Sequence, residues 1–110
     1  MRLVLDTSAL LYIVEHRVEV EQFFGHEVYI PTAVVEELRR LRKKKAKVAL
    51  ELLPLLRPKV VERGGAADEA VLKCARELGA VLVTGDSTLA KRARELGVAV
   101  GRFHKKQLYI

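Results

Sequence analysis

The chain has 110 residues, 50% of them hydrophobic, and a formal net charge of +6. This length accommodates one domain around a single core, residues 1–110, and the hydrophobic content excludes an intrinsically disordered chain. Cys74 is the only cysteine, which excludes an intrachain disulfide and a cysteine-rich zinc site. Its spacing from Leu72, Ala75 and Leu78 is helical and predicts a small core residue.

Short apolar runs alternate with helical patterns along the whole chain. Strands are predicted at residues 3–5, 27–30, 59–62, 80–83 and 98–100. Helices are predicted at 9–15, 18–24, after Pro31 with an apolar stripe of Val34, Val35, Leu38 and Leu41, and at 48–53, 68–78 and 87–96. The helix at 48–53 is expected to stop near Pro54 and Pro58. This alternation predicts an α/β fold, a three-layer α/β/α sandwich with a central parallel sheet of four to five strands.

The end of the chain, Arg102–Ile110, is a basic tail that carries two apolar residues, Leu108 and Ile110. We expect the tail to add a last short strand or to dock on a partner. At the other end, Met1 leads directly into the first apolar run, and no signal peptide or membrane span is recognisable. We therefore expect a cytoplasmic protein with no membrane partner.

Four acidic residues, far apart in the sequence, are predicted to lie at one edge of the sheet. Asp6 and Asp86 follow strands, and ligands of open parallel sheets bind beyond the carboxyl ends of the strands. Asp68 begins a helix that runs antiparallel to the next strand, which puts it at the same edge. Glu37 lies too deep in its helix to cap it and borders the buried stripe. Clustered carboxylates repel one another unless a cation joins them, so the pattern predicts a site for Mg2+ or Mn2+.

Each of these acids also has a plain structural interpretation. Aspartate is a favoured helix N-cap, and its charge suits the positive end of the helix dipole. Asp6, Asp68 and Asp86 could each be a cap, and Glu37 could be an ordinary solvated residue of its helix. Capping accounts for three acids separately but does not account for their convergence.

Residue type excludes several other kinds of site. The chain has no phosphate loop ending in Gly-Lys-Ser or Gly-Lys-Thr and no Gly-x-Ser-x-Gly elbow. Its three histidines lack the spacing of metal ligands and are predicted to be surface residues. They are His16, His26 and His104.

A run of basic residues follows Glu37 and favours a polyanionic partner such as nucleic acid. Such a run is more often a solvated helix face, but here it could lead a phosphate backbone towards the acids, with affinity that falls as salt rises. Aromatic residues make up only 5% of the chain, so no base-stacking platform is evident. The candidate RNA-binding residues are Arg39, Arg40, Arg42, Lys43, Lys44, Lys45 and Lys47.

Four segments resemble, in order along nearly the whole chain, the motifs of the PIN-domain ribonucleases. They are Leu5–Leu11, Tyr29–Leu38, Asp68–Leu72 and Val83–Leu89. In the second motif the functional acid directly precedes the leucine, which selects Glu37 over Glu36. Ser8 departs from the family pattern, in which asparagine is frequent.

This resemblance implies hydrolysis of phosphodiester bonds in single-stranded RNA with Mg2+ or Mn2+. It implies that the catalytic and metal-binding residues are Asp6, Glu37, Asp68 and Asp86. Thr84 would bond an acid or the attacking water, and Ser8 would orient Asp6 from behind the metal ligands. Both are equally well explained as ordinary turn and cap residues.

Two subgroups of the family remain open. One is the toxin half of VapBC-type toxin–antitoxin pairs, whose partner is an antitoxin protein. The other is an archaeal set similar to the eukaryotic small-subunit ribosomal-RNA processing nucleases, which would act on a ribosomal precursor particle. The alanine- and leucine-rich helix after the basic run and the segment Phe103–Leu108 resemble the second subgroup more. The family resemblance also implies a homodimer.

Two rivals come from other functional classes. A non-catalytic RNA-binding or ribosome-assembly module would keep the fold without cleavage, but the presence of all four acids argues against it. A receiver or phosphatase-type domain would use Asp6 as phosphoacceptor and would need a second acid beside it and a lysine after a late strand. Thr7 and Ser8 follow Asp6, and Gly101 follows the fifth predicted strand, so we discount this rival.

Overall fold

The computed structural model describes all 110 residues, Met1–Ile110. In chain order its elements are β1 (Arg2–Leu5), α1 (Thr7–Glu15), a 3-10 helix (Val20–Phe23), β2 (Glu27–Pro31), α2 (Thr32–Arg40), α3 (Lys44–Leu56), β3 (Lys59–Val61), α4 (Ala67–Leu78), β4 (Val81–Val83), α5 (Ser87–Glu95), β5 (Val100–His104) and β6 (Gln107–Tyr109). None of the helices combines the length and the apolar character needed to cross a bilayer.

The six strands form one sheet in the order β3-β2-β1-β4-β5-β6. The neighbours from β3 to β5 are parallel, and β6 is antiparallel to β5. The chain builds outward from β1 to β3 and then returns to place β4 on the other side of β1. This reversal is a topological switch point, where α/β proteins bind ligands. The predicted α/β fold with a parallel central sheet is confirmed, and the antiparallel strand is an addition to it.

The two central strands are buried on both faces. Leu3, Val4 and Leu5 of β1 have no exposed area, and the three residues of β4 are at most 5% exposed. Because successive side chains of a strand point to opposite faces, this pattern requires helices on both sides of the sheet. The outer strand β3, by contrast, leaves Lys59 and Val60 exposed, as expected for an edge.

The predicted stop near Pro54 and Pro58 is confirmed, because α3 ends at Leu56, between the two prolines, with Pro54 in its last turn. A proline removes its own N–H and crowds the carbonyl of the preceding turn, and near the end of a helix few later bonds remain to be disturbed. α3 also begins earlier than predicted, at Lys44. Its buried residues Ala46 and Ala49 are small enough for close packing against the neighbouring helices.

The tail Arg102–Ile110 forms a last strand, one of its two predicted outcomes. β5 begins later than predicted and turns into β6, which gives an antiparallel hairpin. The Gln22 side chain accepts a hydrogen bond from the Leu108 N–H at 2.9 Å and donates one to the Lys106 carbonyl at 2.6 Å. These two bonds fix the hairpin on the 3-10 helix, which is shorter than the helix predicted at 18–24.

Candidate active site

Asp6 and Asp86 lie beyond the ends of two neighbouring strands at the switch point. β1 and β4 pair with Leu5 opposite Val83, and the Asp6 N–H donates to the Val83 carbonyl at 3.3 Å. The loop from Thr84 to Asp86 therefore begins next to Asp6. The fold brings these two acids to one edge of the sheet, as the apolar runs predicted.

All four predicted acids line one open cavity of about 370 Å³ at this edge, which we call the acidic cavity. Glu37 reaches it from the sixth position of α2, and Asp68 reaches it from the second position of α4. Glu36, the adjacent acid not selected by the motif, lines a different cleft. The other residues of the acidic cavity are Thr7, Ser8, Leu11, Leu41 and Lys43.

Asp6 is the most buried of the four acids, at 4% exposure. Its Oδ1 accepts a hydrogen bond from the Ala9 N–H at 2.8 Å, which makes it the N-cap of α1. Its Oδ2 accepts from the Thr84 hydroxyl at 2.5 Å, and the Ser8 hydroxyl lies 2.9 Å from both oxygens. Burial raises the pKa of Asp6 above its ordinary value, the hydrogen bonds oppose that rise, and the charge of Asp68 adds to it.

Asp86 is also an N-cap. Its Oδ1 accepts from the N–H groups of Thr88 at 2.8 Å and Leu89 at 3.1 Å, at the start of α5. Its second oxygen accepts no hydrogen bond from the chain. The capping interpretation is therefore correct for both Asp6 and Asp86, and at Asp86 it leaves one oxygen available to a ligand.

Neither Asp68 nor Glu37 caps a helix. The N-cap of α4 is Ala66, so the capping interpretation is wrong for Asp68. Neither carboxylate takes part in an ion pair. Burial raises the pKa of Asp68, and the negative charges of Asp86 and Glu37 raise it further. The acids thus repel one another across the cavity, and the charge of Arg92 offsets only part of this repulsion at Asp68.

The acidic cavity contains little positive charge to balance its carboxylates. Lys43 is the only basic residue that lines it. Arg92 lowers the pKa of Asp68 slightly, but its guanidinium is bonded to Glu69 at 2.5 Å. Hard oxygen donors with excess negative charge fit a divalent cation in their chemistry. No three His, Cys, Asp or Glu side chains are arranged so that they could hold an ion together.

Ser8 and Thr84 connect the two strand ends through their hydroxyl groups. Thr84 is fully buried and accepts a hydrogen bond from the Asp86 N–H at 3.0 Å, while Ser8 accepts one from the Gly85 N–H at 2.9 Å. Each hydroxyl has a single proton, and both protons are directed at Asp6. The two residues therefore fix the Asp6 carboxylate relative to the loop that carries Asp86. This position fits an orienting role and a cap-and-turn role alike.

The predicted basic run does not present one continuous surface. Lys45 forms an ion pair with Glu15 at 3.3 Å. Neither Lys45 nor Arg40 lines the acidic cavity or the cavity beside it. The remaining residues line a second cavity of about 530 Å³, which we call the basic cavity and which shares Leu41 and Lys43 with the acidic one. Its basic residues are Arg39, Arg42, Lys43, Lys44 and Lys47.

Sequence reasoning did not identify Thr7, Leu11 or Leu41 as residues of the acidic cavity. The available signal for Thr7 was its position directly after Asp6 in the first motif. Leu41 was expected in the buried stripe of α2, but it is the C-cap of that helix and is only partly buried.

The histidines and Cys74 lie away from this site. No histidine lines the acidic cavity, and His16 stacks on Tyr12 with 3.9 Å between ring centroids. Cys74 is buried in the core, as predicted, and burial raises the pKa of its thiol. The cysteine therefore has the character of a packing residue.

The chain matches the family of PIN-like domains over residues 3–106. It is 30% identical over 109 residues to Ribonuclease VapC9 of Archaeoglobus fulgidus, a match that covers 89% of this chain and 79% of that protein. It is 36% identical over 109 residues to an uncharacterized PIN and TRAM-domain containing protein of Thermus thermophilus. That match covers 86% of this chain, which spans only 32% of the Thermus protein.

Solved structures with the same fold are similar at lower sequence identity. The PIN domain endonuclease Utp24 aligns with a TM-score of 0.85 at 17% identity, over 97% of this chain and 88% of that one. VapBC2 from Rickettsia felis, bound to a DNA fragment from its promoter, aligns with a TM-score of 0.67 at 15% identity, over 94% and 100% of the two chains. Because the family match spans nearly the whole sequence and one relative is a ribonuclease, the chain belongs to the PIN-like domain family, and this membership supports nuclease activity in general.

Proposed function

We propose that the protein is an endoribonuclease that hydrolyses phosphodiester bonds of single-stranded RNA with Mg2+ or Mn2+. The observation that carries this proposal is the acidic cavity, which is lined by four carboxylates from separate segments of the chain. Capping explains the presence of two of them. It does not explain Asp68 and Glu37, which add negative charge to the same cavity without a partner in the chain, an arrangement that only a bound cation makes favourable.

We assign the binding of one or two ions, directly or through water, to Asp6, Glu37, Asp68 and Asp86. When bound, such an ion lowers the pKa of a water molecule for in-line attack and stabilises the developing charge on the phosphate. The hydroxyls of Ser8 and Thr84 hold the Asp6 carboxylate in one orientation before substrate arrives. Asp68 and Glu37 contribute carboxylate oxygens that accept no side-chain hydrogen bond and form no ion pair within the chain. The products would carry a 5′-phosphate and a 3′-hydroxyl.

The basic cavity is the proposed path of the RNA backbone. Its basic residues from α2, α3 and the connection between them lie beside the acidic cavity, and Lys43 belongs to both. Phosphate groups bound there would release counterions, so RNA affinity should fall steeply as salt is raised. The choice of RNA over DNA rests on the identity with a ribonuclease relative. We propose the basic residues that line this cavity as the RNA contacts and leave out Arg40 and Lys45, which do not line it.

The biological role we favour is the toxin of a VapBC-type pair, because the 30% identical relative is named Ribonuclease VapC9. An antitoxin protein would then be the partner, and the cytoplasm would be the compartment. Processing of ribosomal RNA within a precursor particle is the second candidate, favoured by the motif similarity of Phe103–Leu108. Inhibition of cleavage by the product of an adjacent small reading frame would support the toxin role. Light scattering would test the homodimer expected in either case.

The test is cleavage of labelled single-stranded RNA with Mn2+, Mg2+ or EDTA. We compare the wild type with Asp68→Asn and with the matched control Glu69→Gln. Glu69 is the next residue of α4, but it is bonded to Arg92 and does not line the acidic cavity. Cleavage should require metal, fail in Asp68→Asn and persist in Glu69→Gln. Cleavage by both variants in EDTA would refute the metal mechanism, and RNA binding without cleavage under every metal would favour the non-catalytic alternative.

A further inference from the structure

One side of α1 carries a stack of three rings, which we call the ring column. Between ring centroids, Tyr12 lies 3.9 Å from His16 and 4.7 Å from Phe103, with interplanar angles of 23° and 9°. Tyr12 and Phe103 are half-buried, whereas His16 is exposed. The fold thus brings together rings that are far apart in the sequence, and the imidazole of His16 is the part of the column most accessible to a ligand.

A hydrogen bond and packing hold the ring column against the β5–β6 hairpin. The Tyr12 hydroxyl donates to the Lys105 carbonyl at 2.8 Å, and the Phe103 ring lies 6.5 Å from that of Phe23 between centroids. These contacts give Tyr12 and Phe103 a structural role, because they join the hairpin to α1. His16 adds little to that packing, since it is exposed. It ends the column with a ring whose orientation is set by stacking on Tyr12.

Basic residues in the left-handed backbone conformation stand next to the ring column. Arg17 and Lys105 have φ values of 53° and 54°, a region that costs energy for a residue with a side chain and is usually occupied by glycine. The chain uses glycine in this way at the end of α4, where Gly79 has a φ of 60°. Arg17 and Lys105 are exposed and form no ion pair. The sequence thus keeps two uncommitted positive charges where glycine would relieve backbone strain.

The acidic cavity lies between the ring column and the basic cavity in the order of the sheet. Helices α2 and α3 connect β2 with β3 at one end of the sheet, the β5–β6 hairpin forms the other end, and Asp6 and Asp86 follow the central strands β1 and β4. Ser8, Tyr12 and His16 are spaced four residues apart, so they lie along one row of α1. Ser8 lines the acidic cavity, and two helical turns, roughly 11 Å, separate it from His16. A strand that leaves the cavity along α1 therefore reaches the column.

We propose that the ring column is a second RNA contact, in which a base of the single strand stacks on the His16 imidazole and Arg17 and Lys105 bind the adjacent phosphates. Stacking on an aromatic face accepts any base but requires an unpaired one, and basic side chains bind the backbone without regard to sequence. The inference rests on the proposed nuclease function and deepens it, because it assigns RNA contacts to both sides of the acidic cavity. It also gives the protein a physical reason to select single strands over duplexes.

The first test measures the affinity for labelled single-stranded RNA by fluorescence anisotropy in EDTA, where metal-dependent cleavage does not proceed. His16→Ala should weaken binding roughly fivefold to a hundredfold, the range for the loss of one stacked base, and His16→Phe should keep most of the affinity. The matched control is His26→Ala, which removes a histidine beside the Met1 amino group and should change nothing. The effect of His16→Ala should disappear on an abasic oligomer, which offers phosphates without bases.

The second test compares Arg17→Gly with Arg57→Gly, because Arg57 has the same left-handed conformation at the end of α3. Neither variant should lower the melting temperature, since glycine suits this conformation. Only Arg17→Gly should weaken RNA binding and reduce by about one the slope of log affinity against log salt concentration. Equal effects of the two variants on binding would overturn the inference, and so would an unchanged affinity in His16→Ala.

These measurements separate failure of the inference from failure of the nuclease proposal. A wild type that binds no RNA in EDTA overturns the ring column as a contact, whatever its cleavage with Mn2+. A wild type that binds RNA, loses affinity in His16→Ala and cleaves no RNA with Mn2+ or Mg2+ refutes the nuclease proposal and leaves the contact in place.

Discussion

Asp68→Asn should make the metal-free protein more stable while abolishing its cleavage of RNA. Asp68 does not cap α4, and its pKa is raised by burial and by the charges of Asp86 and Glu37. The asparagine keeps the shape of the side chain and removes the charge. An acid that only stabilised the fold would show the opposite result, because its replacement would lower the melting temperature.

The size of the effect follows from opposing terms at this site. Each repulsive pair at this exposed position is worth at most about 1 kcal/mol, and the attraction between Asp68 and Arg92, which is itself paired with Glu69, offsets a few tenths of that amount. Loss of a negative charge in the first turn of α4 costs roughly 0.5–1 kcal/mol through the helix dipole. The net gain is therefore at most about 1 kcal/mol, or a rise of up to about 4 °C in Tm for a domain of this size. With Mn2+ at about a hundred times its Kd, the wild type gains about 2.7 kcal/mol and the order of stabilities reverses.

The assay is thermal unfolding followed by circular dichroism, in EDTA and in a series of Mn2+ concentrations. Glu69→Gln is the control, since it removes a charge from the same turn of α4 and breaks the ion pair with Arg92, while the repulsion of Asp68 by Asp86 and Glu37 stays in place. It should lower the melting temperature slightly and keep the stabilisation by Mn2+. The reasoning is refuted if Asp68→Asn is less stable than the wild type in EDTA, or if Mn2+ stabilises both equally.

Three further predictions follow from the same geometry. Thr84→Val should cost about 1–3 kcal/mol of unfolding free energy and reduce cleavage, because it removes the hydrogen bond that the Thr84 hydroxyl donates to the buried Asp6 carboxylate. Urea denaturation measures the first effect and RNA cleavage the second, and no change in either would contradict the orienting role of Thr84. Lys43→Met should weaken RNA binding and reduce by about one the slope of log affinity against log salt concentration. Lys45→Met, which removes a side chain paired with Glu15, should change neither quantity. Equal effects of the two variants in anisotropy titrations would contradict the basic cavity as the path of the RNA. Because the folded-state pKa of Asp68 is raised above its ordinary value of 3.8, its unfavourable contribution is present above the raised pKa and disappears as pH falls towards 3.8. The stability advantage of Asp68→Asn in EDTA should therefore shrink between pH 7 and pH 4.5 in urea denaturation, and an advantage that grows would have the wrong sign.

The positions of the acids were predictable where local pattern and sheet geometry agree. Asp6 and Asp86 follow apolar runs that became neighbouring strands, so the parallel arrangement alone brings them together. The choice of Glu37 over Glu36 came from motif resemblance, and the structure separates the two acids into different cavities. The catalytic roles of all four acids remain predictions until cleavage is measured.

Other features depend on contacts that no local pattern contains. The tail became a hairpin because Gln22, far away in sequence, bonds its backbone. Lys45 pairs with Glu15 of α1, a contact between two helices that the sequence of the basic run does not contain. Each of these outcomes was decided by tertiary packing.

Calorimetric titration of Mn2+ tests the central claim most directly. The protein to compare with the wild type is the double variant Glu37→Gln and Asp68→Asn, because these two acids have no structural partner and their removal leaves both helix caps intact. We predict saturable Mn2+ uptake by the wild type and none by the double variant. A wild type that takes up no Mn2+, or a double variant that binds it equally well, would contradict a metal site built from these carboxylates.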